Sequence, residues 1–219
     1  TLLFNQTMNG YLNLYTIAAD GTGGLKQVTN DKKDNRVVTF NKKRTQAVYL
    51  SGRNEVRVLD LKTFKDELVT KDELWGFNNS LPYFSPNDQF ISFSAFRNFE
   101  QEIMLYNTQT KKTINLTNTS ITETDPMWSQ DGKYIYFTSS SLKPSYPFGI
   151  QNARIYRLPL ENIDEPYRGD KFTELFKEEK KDTSKKVIVK TDEVINIDMD
   201  RIMDRLELVG PSFGSQAIV

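Results

Sequence analysis

Three stretches of this chain align without a gap: Phe40 to Tyr49 (FNKKRTQAVY), Phe84 to Phe93 (FSPNDQFISF) and Trp128 to Phe137 (WSQDGKYIYF). Their first residues lie 44 apart, and then 44 apart again. Each opens on an aromatic, crosses a short polar turn and enters an alternating apolar strand. A fixed period of this length marks one supersecondary unit that buries its apolar face on the next copy of itself. Pro86-Asn87-Asp88 and Asp131-Gly132 supply the turns, because proline presets φ while Gly, Asn and Asp tolerate positive φ.

The flanks repeat as well. Asn13 to Ile17, Val56 to Asp60, Ile103 to Asn107 and Ile155 to Leu158 read as a third strand. The first three of these lead through polar turns, at Asp20 to Gly24, Leu61 to Thr63 and Thr108 to Thr110, into a fourth. Those fourth strands end alike at Val28-Thr29-Asn30, Leu68-Val69-Thr70 and Leu116-Thr117-Asn118. Four short antiparallel strands every ~40–45 residues predict an all-β chain of β-propeller blades. An open meander or sandwich is the alternative, but sandwiches carry turn signals without a gapless repeat. The unit recurs as roughly half a blade (residues 1–30) followed by three blades, making a partial propeller of about three and a half blades over residues 1–160. That is short of the four to eight a closed ring needs, so blade edges are expected to be exposed and open to self-association. In the last blade the connection from Ser139 to Asn152 is longer and carries Pro144, Pro147 and Gly149. Insertions of this kind sit at one mouth of a propeller, where ligands and partners bind, although a plain surface loop is the commoner explanation.

Composition narrows the chemistry. The 219 residues include no histidine and no cysteine. No Ser-His-Asp triad, histidine base, thiol nucleophile or thiolate zinc site can be built within the chain. No catalytic, cofactor-binding or metal-binding residue is therefore nominated, and no cofactor is expected. Twenty-nine basic residues balance 29 acidic ones, which leaves no electrostatic footprint for nucleic acid. No apolar run approaches the roughly 20 residues of a spanning helix, so membrane insertion is not expected. The chain starts and stops on apolar runs, Leu2-Leu3-Phe4 and Ala217-Ile218-Val219, without a visible signal peptide, and is expected to be a piece of a longer protein.

Residues 161–193 turn charged, with Lys177 to Asp182 and Lys185-Lys186, and read as a solvated linker. Phe172, Leu175 and Phe176 have helical spacing, so a short helix from Lys171 to Lys181 competes there with a fourth strand for the last blade. Val187 to Val189 reads as a strand, followed by apolar runs at Val194 to Asp198 and Ile202 to Leu208. Residues 194–219 read as a junction toward a following propeller. Asp198, Asp200, Asp204 and Arg205 could form a metal or acid site, but surface carboxylates with local arginine pairing are the plainer reading, and no calcium-loop spacing is present.

The repeated turn-and-strand unit resembles the WD-like blades of TolB-type and tricorn-type propellers. Ile197-Asp198-Met199-Asp200-Arg201-Ile202-Met203-Asp204-Arg205 resembles the Ile-Asp-x-x-x-Ile-x-x-Arg stretch that joins one propeller to the next in tricorn-like serine proteases. Arg201 stands where that pattern often has glycine. The resemblance implies a non-catalytic propeller that guides or sieves peptides or unfolded protein for the remaining domains of a serine peptidase. No catalytic residue carries over to any position. It also implies an exported bacterial protein of the periplasm, with the cytoplasm as the alternative.

Several other features have plain readings. Asp20-Gly21-Thr22-Gly23-Gly24 lacks the lysine of a phosphate loop and reads as a hairpin turn. Asn5, Asn78, Asn115 and Asn118 begin glycosylation-type triplets that arise by chance in such a chain. Trp75, Phe77, Tyr83 and Trp128 lie near strand starts, where they either line a mouth or pack between blades. A TolB-like propeller that binds envelope proteins is the main alternative function. A carbohydrate-processing propeller would need convergent carboxylates at inner-strand ends, where Asn35, Asn79 and Asp125 are too mixed.

Overall fold

The computed structural model describes residues 1–140, 143–150, 152–162, 194–211 and 216. It is all-β, and its strands fall into four sheets in chain order. The first holds β1 (Leu2–Met8), β2 (Tyr11–Ile17) and β3 (Lys26–Gln27). The second holds β4 (Asn35–Phe40), β5 (Gln46–Ser51), β6 (Glu55–Asp60) and β7 (Asp66–Lys71). The third holds β8 (Tyr83–Phe84), β9 (Phe90–Arg97), β10 (Glu100–Asn107) and β11 (Thr113–Asn115). The fourth holds β12 (Glu123–Trp128), β13 (Tyr134–Ser139), β14 (Arg154–Pro159) and β15 (Glu207–Val209). Every pairing is antiparallel between neighbours, so the chain is a partial β-propeller as the period predicts.

The turn between first and second strands is the same object three times. Asn41, Ser85 and Ser129 each donate a backbone N–H to the carbonyl five residues on and accept one from three residues on. The last turn residue, Arg44, Asp88 or Gly132, has positive φ each time. Side chains complete it: Ser85 and Ser129 Oγ accept the N–H of Phe90 and Tyr134, while Asn41 Oδ1 accepts that of Gln46. A second repeated bond ties the exit of the third strand to this turn: the N–H of Leu61, Thr108 and Leu160 donates to the carbonyl of Thr45, Gln89 and Lys133.

Apolar positions of successive sheets interleave into three clusters. Leu14 meets Ala47, Tyr49 and Leu59 between sheets one and two. Val48, Leu50 and Val56 meet Ile91, Phe93 and Met104 between two and three. Phe90, Ile103 and Leu105 meet Ile135, Phe137 and Leu158 between three and four. Each fully buried large side chain contributes roughly 1.5–3 kcal/mol, so the sheet-to-sheet seams carry the fold.

Two assignments change. The first sheet is three strands rather than half a blade: β1 pairs with β2 over its whole length, from Leu2↔Ile17 to Met8↔Tyr11, through a two-residue turn at Asn9 (φ 54) and Gly10 (φ 83). Positive φ at both positions is the hairpin geometry that suits Asn-Gly. The fourth strand of the last sheet is β15, which pairs Val209, Leu208 and Glu207 with Ile155, Tyr156 and Arg157. The segment before it packs on this sheet: Ile195 and Ile202 are buried in the third cluster and Ile197 packs against it. The linker, the helix at Lys171 to Lys181, the strand at Val187 to Val189 and the run Ala217 to Val219 lie outside the described residues.

Candidate functional site

The first strands β4, β8 and β12 touch one another in turn and so form the inner wall of the arc. Each ends on an aromatic, Phe40, Phe84 and Trp128, 44 residues apart. These three, with Tyr83, Met127 and the turn residues that follow, line an axial cleft of about 590 Å³. The Trp128 indole is fixed by its Nε1–H, which donates to Ser92 Oγ at 3.0 Å, and by stacking on Phe90 at 6.1 Å. Burial, with the nearby Asp125 carboxylate, holds the Tyr83 phenol above its ordinary value, so it stays a neutral donor. The wall is apolar and aromatic with polar turn groups at its rim, a surface suited to stacking rather than to covalent chemistry.

The four aromatics singled out from sequence divide between two places. Tyr83 and Trp128 lie in the cleft. Trp75 and Phe77 lie beside the turn that follows β5, at the other end of the sheets, where the Trp75 N–H donates to the Arg53 carbonyl. There Trp75 stacks on Phe96 at 4.0 Å and meets Phe77 and Phe99 edge-on at 5.3 and 6.0 Å, while Phe99 packs on Tyr146 at 4.7 Å. Phe77, Phe99 and Tyr146 remain more than half exposed. The buried Arg36 guanidinium holds this loop by donating to the carbonyls of Gly52, Trp75 and Asn78, and burial lowers its pKa. Sequence reading missed Phe96, Phe99 and Tyr146, because they come from the end of β9, the turn after it and the connection before β14, which share no period.

Beside that mouth sit three buried glutamates. Glu100 accepts from Thr122 and Ser145 side chains and from the Tyr146 N–H, which pins Ser145 and Tyr146 against the third sheet. Glu102 accepts from the Ser120 N–H and from Asn115. Glu123 accepts from Thr119 Oγ1 through one oxygen while the other is buried without a partner. Burial, helped by the charges of Glu102 and Glu100, pushes the Glu123 carboxyl up to about 7. Among the described residues no group of three Asp or Glu is arranged to hold a metal ion.

The buried acid at an inner-strand start is thus Glu123 rather than Asp125. A bulge between Thr124 and Met127, with Asp125 at φ 58, shifts the register there; Val37 at φ 51 makes the same bulge in β4. Asn35, at the matching start of β4, is buried in a network with Thr29 and Asp31, while Asn79 is exposed. Asn78 is buried and donates to the Ser94 carbonyl, which rules out a glycan there.

Arg205 proves structural. Its guanidinium donates to the carbonyls of Pro159, Asp198 and Asp200 and lies 3.7 Å from the Asp198 carboxylate. Asp198 donates its N–H to the Leu160 carbonyl at 2.8 Å. The Asp198 to Arg205 stretch is therefore a brace under the fourth sheet. Asp20 caps an exposed turn by accepting the Thr22 N–H at 3.0 Å. No described helix is long and apolar enough to cross a membrane.

A family model described as eukaryotic translation initiation factor eIF2A matches residues 4–151, from β1 through β13, the second strand of the fourth sheet. The chain belongs to the eIF2A family. No curated protein matches this eIF2A-family chain. Among solved structures it is similar to the tricorn protease, at 18% identity and TM-score 0.61, covering 95% of this chain and 20% of that one. It is similar to TolB from Acinetobacter baumannii at 24% identity and TM-score 0.55, covering 69% of this chain and 36% of that one. The corresponding figures for putative TolB from Agrobacterium tumefaciens are 15% and 0.56, covering 72% and 57%. These likenesses establish the propeller fold, and the eIF2A-family chain spans only part of each protein.

Proposed function

We propose that this chain is a non-catalytic propeller portion of a larger tricorn-like peptidase and that its axial cleft guides extended polypeptide. The observation that carries the reading is the cleft itself, where Phe40, Phe84 and Trp128 place one aromatic from each of the second, third and fourth sheets along the inner wall. A repeated aromatic surface with few directional groups accepts many side-chain sequences, as a guide must. The chain has neither histidine nor cysteine, so cleavage would fall to other parts of the protein. The tricorn likeness reaches 95% of the chain where the two TolB likenesses stop at 69% and 72%, which favours a parent with the brace at residues 194–209. In this reading residues 194–219 lead into a following propeller, the unpaired edge of β1 is covered by the rest of the parent or by a second copy, and the protein works outside the bacterial cytoplasm.

The eIF2A family match and the TolB likenesses favour a second reading, a scaffold that docks a folded protein, in a translation initiation assembly or in the bacterial envelope. Photo-crosslinking with unstructured peptides carrying benzoylphenylalanine separates the two. Guiding predicts crosslinks on Phe40, Tyr83, Met127 and Trp128, with no cleavage by this chain. Crosslinks confined to outer strands, or none, would contradict it.

A further inference from the structure

At the end of the sheets that carries Trp75, one polar joint recurs between neighbouring sheets with different residues in it. A threonine just after the last strand of a sheet accepts an N–H from the strand before. Thr29 accepts from Leu14 at 2.9 Å, and Thr117, 88 residues on, accepts from Ile103 at 3.1 Å. Around Thr29 the side chains are amides: Asn13 precedes Leu14, and Asn35 Nδ2 donates to Thr29 Oγ1 and Asp31 Oδ1. Around Thr117 the same two places hold carboxyls, Glu102 before Ile103 and Glu123 bonded to Thr117, as deeply buried as the asparagines. Between these joints Glu55 precedes Val56, but it is ion-paired with Lys33 at 2.7 Å and Arg57 at 2.9 Å. Amides donate and accept, whereas two carboxylates only accept, so the joint between sheets three and four calls for a proton that the first does not.

The groups around Glu123 supply no counter-ion. Strand β10 presents Glu100 and Glu102. Arg97 of β9 faces Glu102 but is committed to Asp72 at 2.6 and 3.0 Å. Strand β13 places Ser139 opposite Glu123, and Arg154 beyond it on β14 donates to the carbonyls of Asn152 and Ala153. Tyr83 of β8 lies toward the cleft with Asp125. Glu123 Oε2 is buried without a partner, so no donor meets a negative charge on it.

That charge would be felt at Glu100. Thr122, the residue before Glu123, donates to Glu100, as do Ser145 Oγ and the Tyr146 N–H, each of these two at 2.7 Å. Against burial, these donors hold the Glu100 carboxyl below its ordinary value, so it stays charged. Tyr146 in turn lays its ring on Phe99 at 4.7 Å, and Phe99 meets Trp75 at 6.0 Å. Phe99 is itself strained. It has φ 69 at the second place of a two-residue turn after Asn98 at φ 50, where the β1–β2 turn has Gly10 after Asn9.

We propose that Glu123 is a proton-operated release for Ser145 and Tyr146. Protonated, it leaves the Glu100 charge to its donors, and Tyr146 covers Phe99. Ionised, it sets a further buried charge beside Glu100 and Glu102, and the joint yields at its most exposed layer. Ser145 and Tyr146 lift, water reaches the carboxylates, and the aromatic face of Phe99 and Trp75 is bared. Burial and the charges of Glu102 and Glu100 place the change at about pH 7, covered below and bared above. The release does not depend on the guiding role of the axial cleft.

The test is proton–nitrogen correlation NMR of the folded full chain from about pH 5.5 to about pH 8. The Tyr146 amide proton, held downfield by its carboxylate acceptor, is expected to move upfield with a midpoint of about 7, toward its position in Glu100→Ala. The Trp75 indole resonance should follow with the same midpoint, because Phe99 joins the two rings, while that of Trp128 in the cleft stays. Glu123→Gln should hold the Tyr146 amide downfield at every pH. A Tyr146 amide that keeps its position throughout, or a titration that survives in Glu123→Gln, would overturn the proposal. So would a shift at Tyr146 alone, since a charge acting through space moves that amide without moving Trp75.

Discussion

The Gln89 side-chain amide closes both backbone hydrogen bonds of Ile195, donating from Nε2 to its carbonyl at 3.1 Å and accepting its N–H at Oε1 at 2.9 Å. The two residues are 106 positions apart. A turn of the third sheet thereby captures the segment that leads to β15, which pairs with β14 to complete the fourth.

Gln89→Ala should remove both bonds and cost ~1–3 kcal/mol, because the backbone groups of Ile195 lose their partners in a part-buried site. Hydrogen exchange should then accelerate at Ile195 and at Glu207–Val209 while β9 and β10 keep their protection. Unchanged exchange in β15 would show that the latch does not hold the strand.

Gly132→Ala meets two obstacles, φ at +73° and Ile195 Cδ1 2.7 Å from the new Cβ. A loss of about 2 kcal/mol or more is expected by denaturant unfolding. Ile195→Ala should cost stability on its own yet couple favourably with Gly132→Ala in a double-mutant cycle, since the clash disappears. Strict additivity would mean that only backbone strain matters at Gly132.

Arg201 adopts φ 43 and ψ 39, the left-handed region, at the position where the resembled junction pattern often has glycine. Its side chain is largely exposed beyond a 4.0 Å approach to Asp200. Arg201→Gly should therefore stabilise the chain by about 1 kcal/mol, against the usual direction of an arginine loss. A fall in melting temperature would show that Arg201 makes an unseen contribution.

Glu123 sets a pH dependence. Its carboxyl is raised to about 7 in the folded chain from a reference of 4.5. Between these values the folded state holds a proton that the unfolded chain has lost, so stability is full below about pH 4.5 and falls as pH rises to about 7. The shift corresponds to a loss on the order of 3 kcal/mol across that window. Glu123→Gln, which mimics the protonated acid, should flatten this fall and gain stability at pH 8 but not at pH 4. An unchanged slope in the variant would assign the dependence to other groups.

How much of this was legible in the sequence follows from which forces have a period. Phe40, Phe84 and Trp128 were readable because the turn after each needs the same residue types at the same spacing, and the cleft inherits that spacing. Asn9-Gly10 carried a hairpin signal that the half-blade reading passed over. Strand β15 was hidden because it pairs with a strand about fifty residues earlier, outside the period that sets the other sheets. Glu123 was missed by two positions because bulges at Val37 and Asp125 break strict alternation. The Trp75 cluster assembles from the end of β9 and from connections between strands, where no repeat constrains the residues.

The most direct measurement uses Trp75→Phe, which leaves Trp128 as the single tryptophan, titrated with a permanently unfolded polypeptide such as reduced, carboxymethylated lactalbumin. If the axial cleft guides extended chains, Trp128 emission shifts saturably and the shift is lost in Phe84→Ala. If Trp128 stays silent while the polypeptide binds, or if only folded partners bind, the guiding account is contradicted.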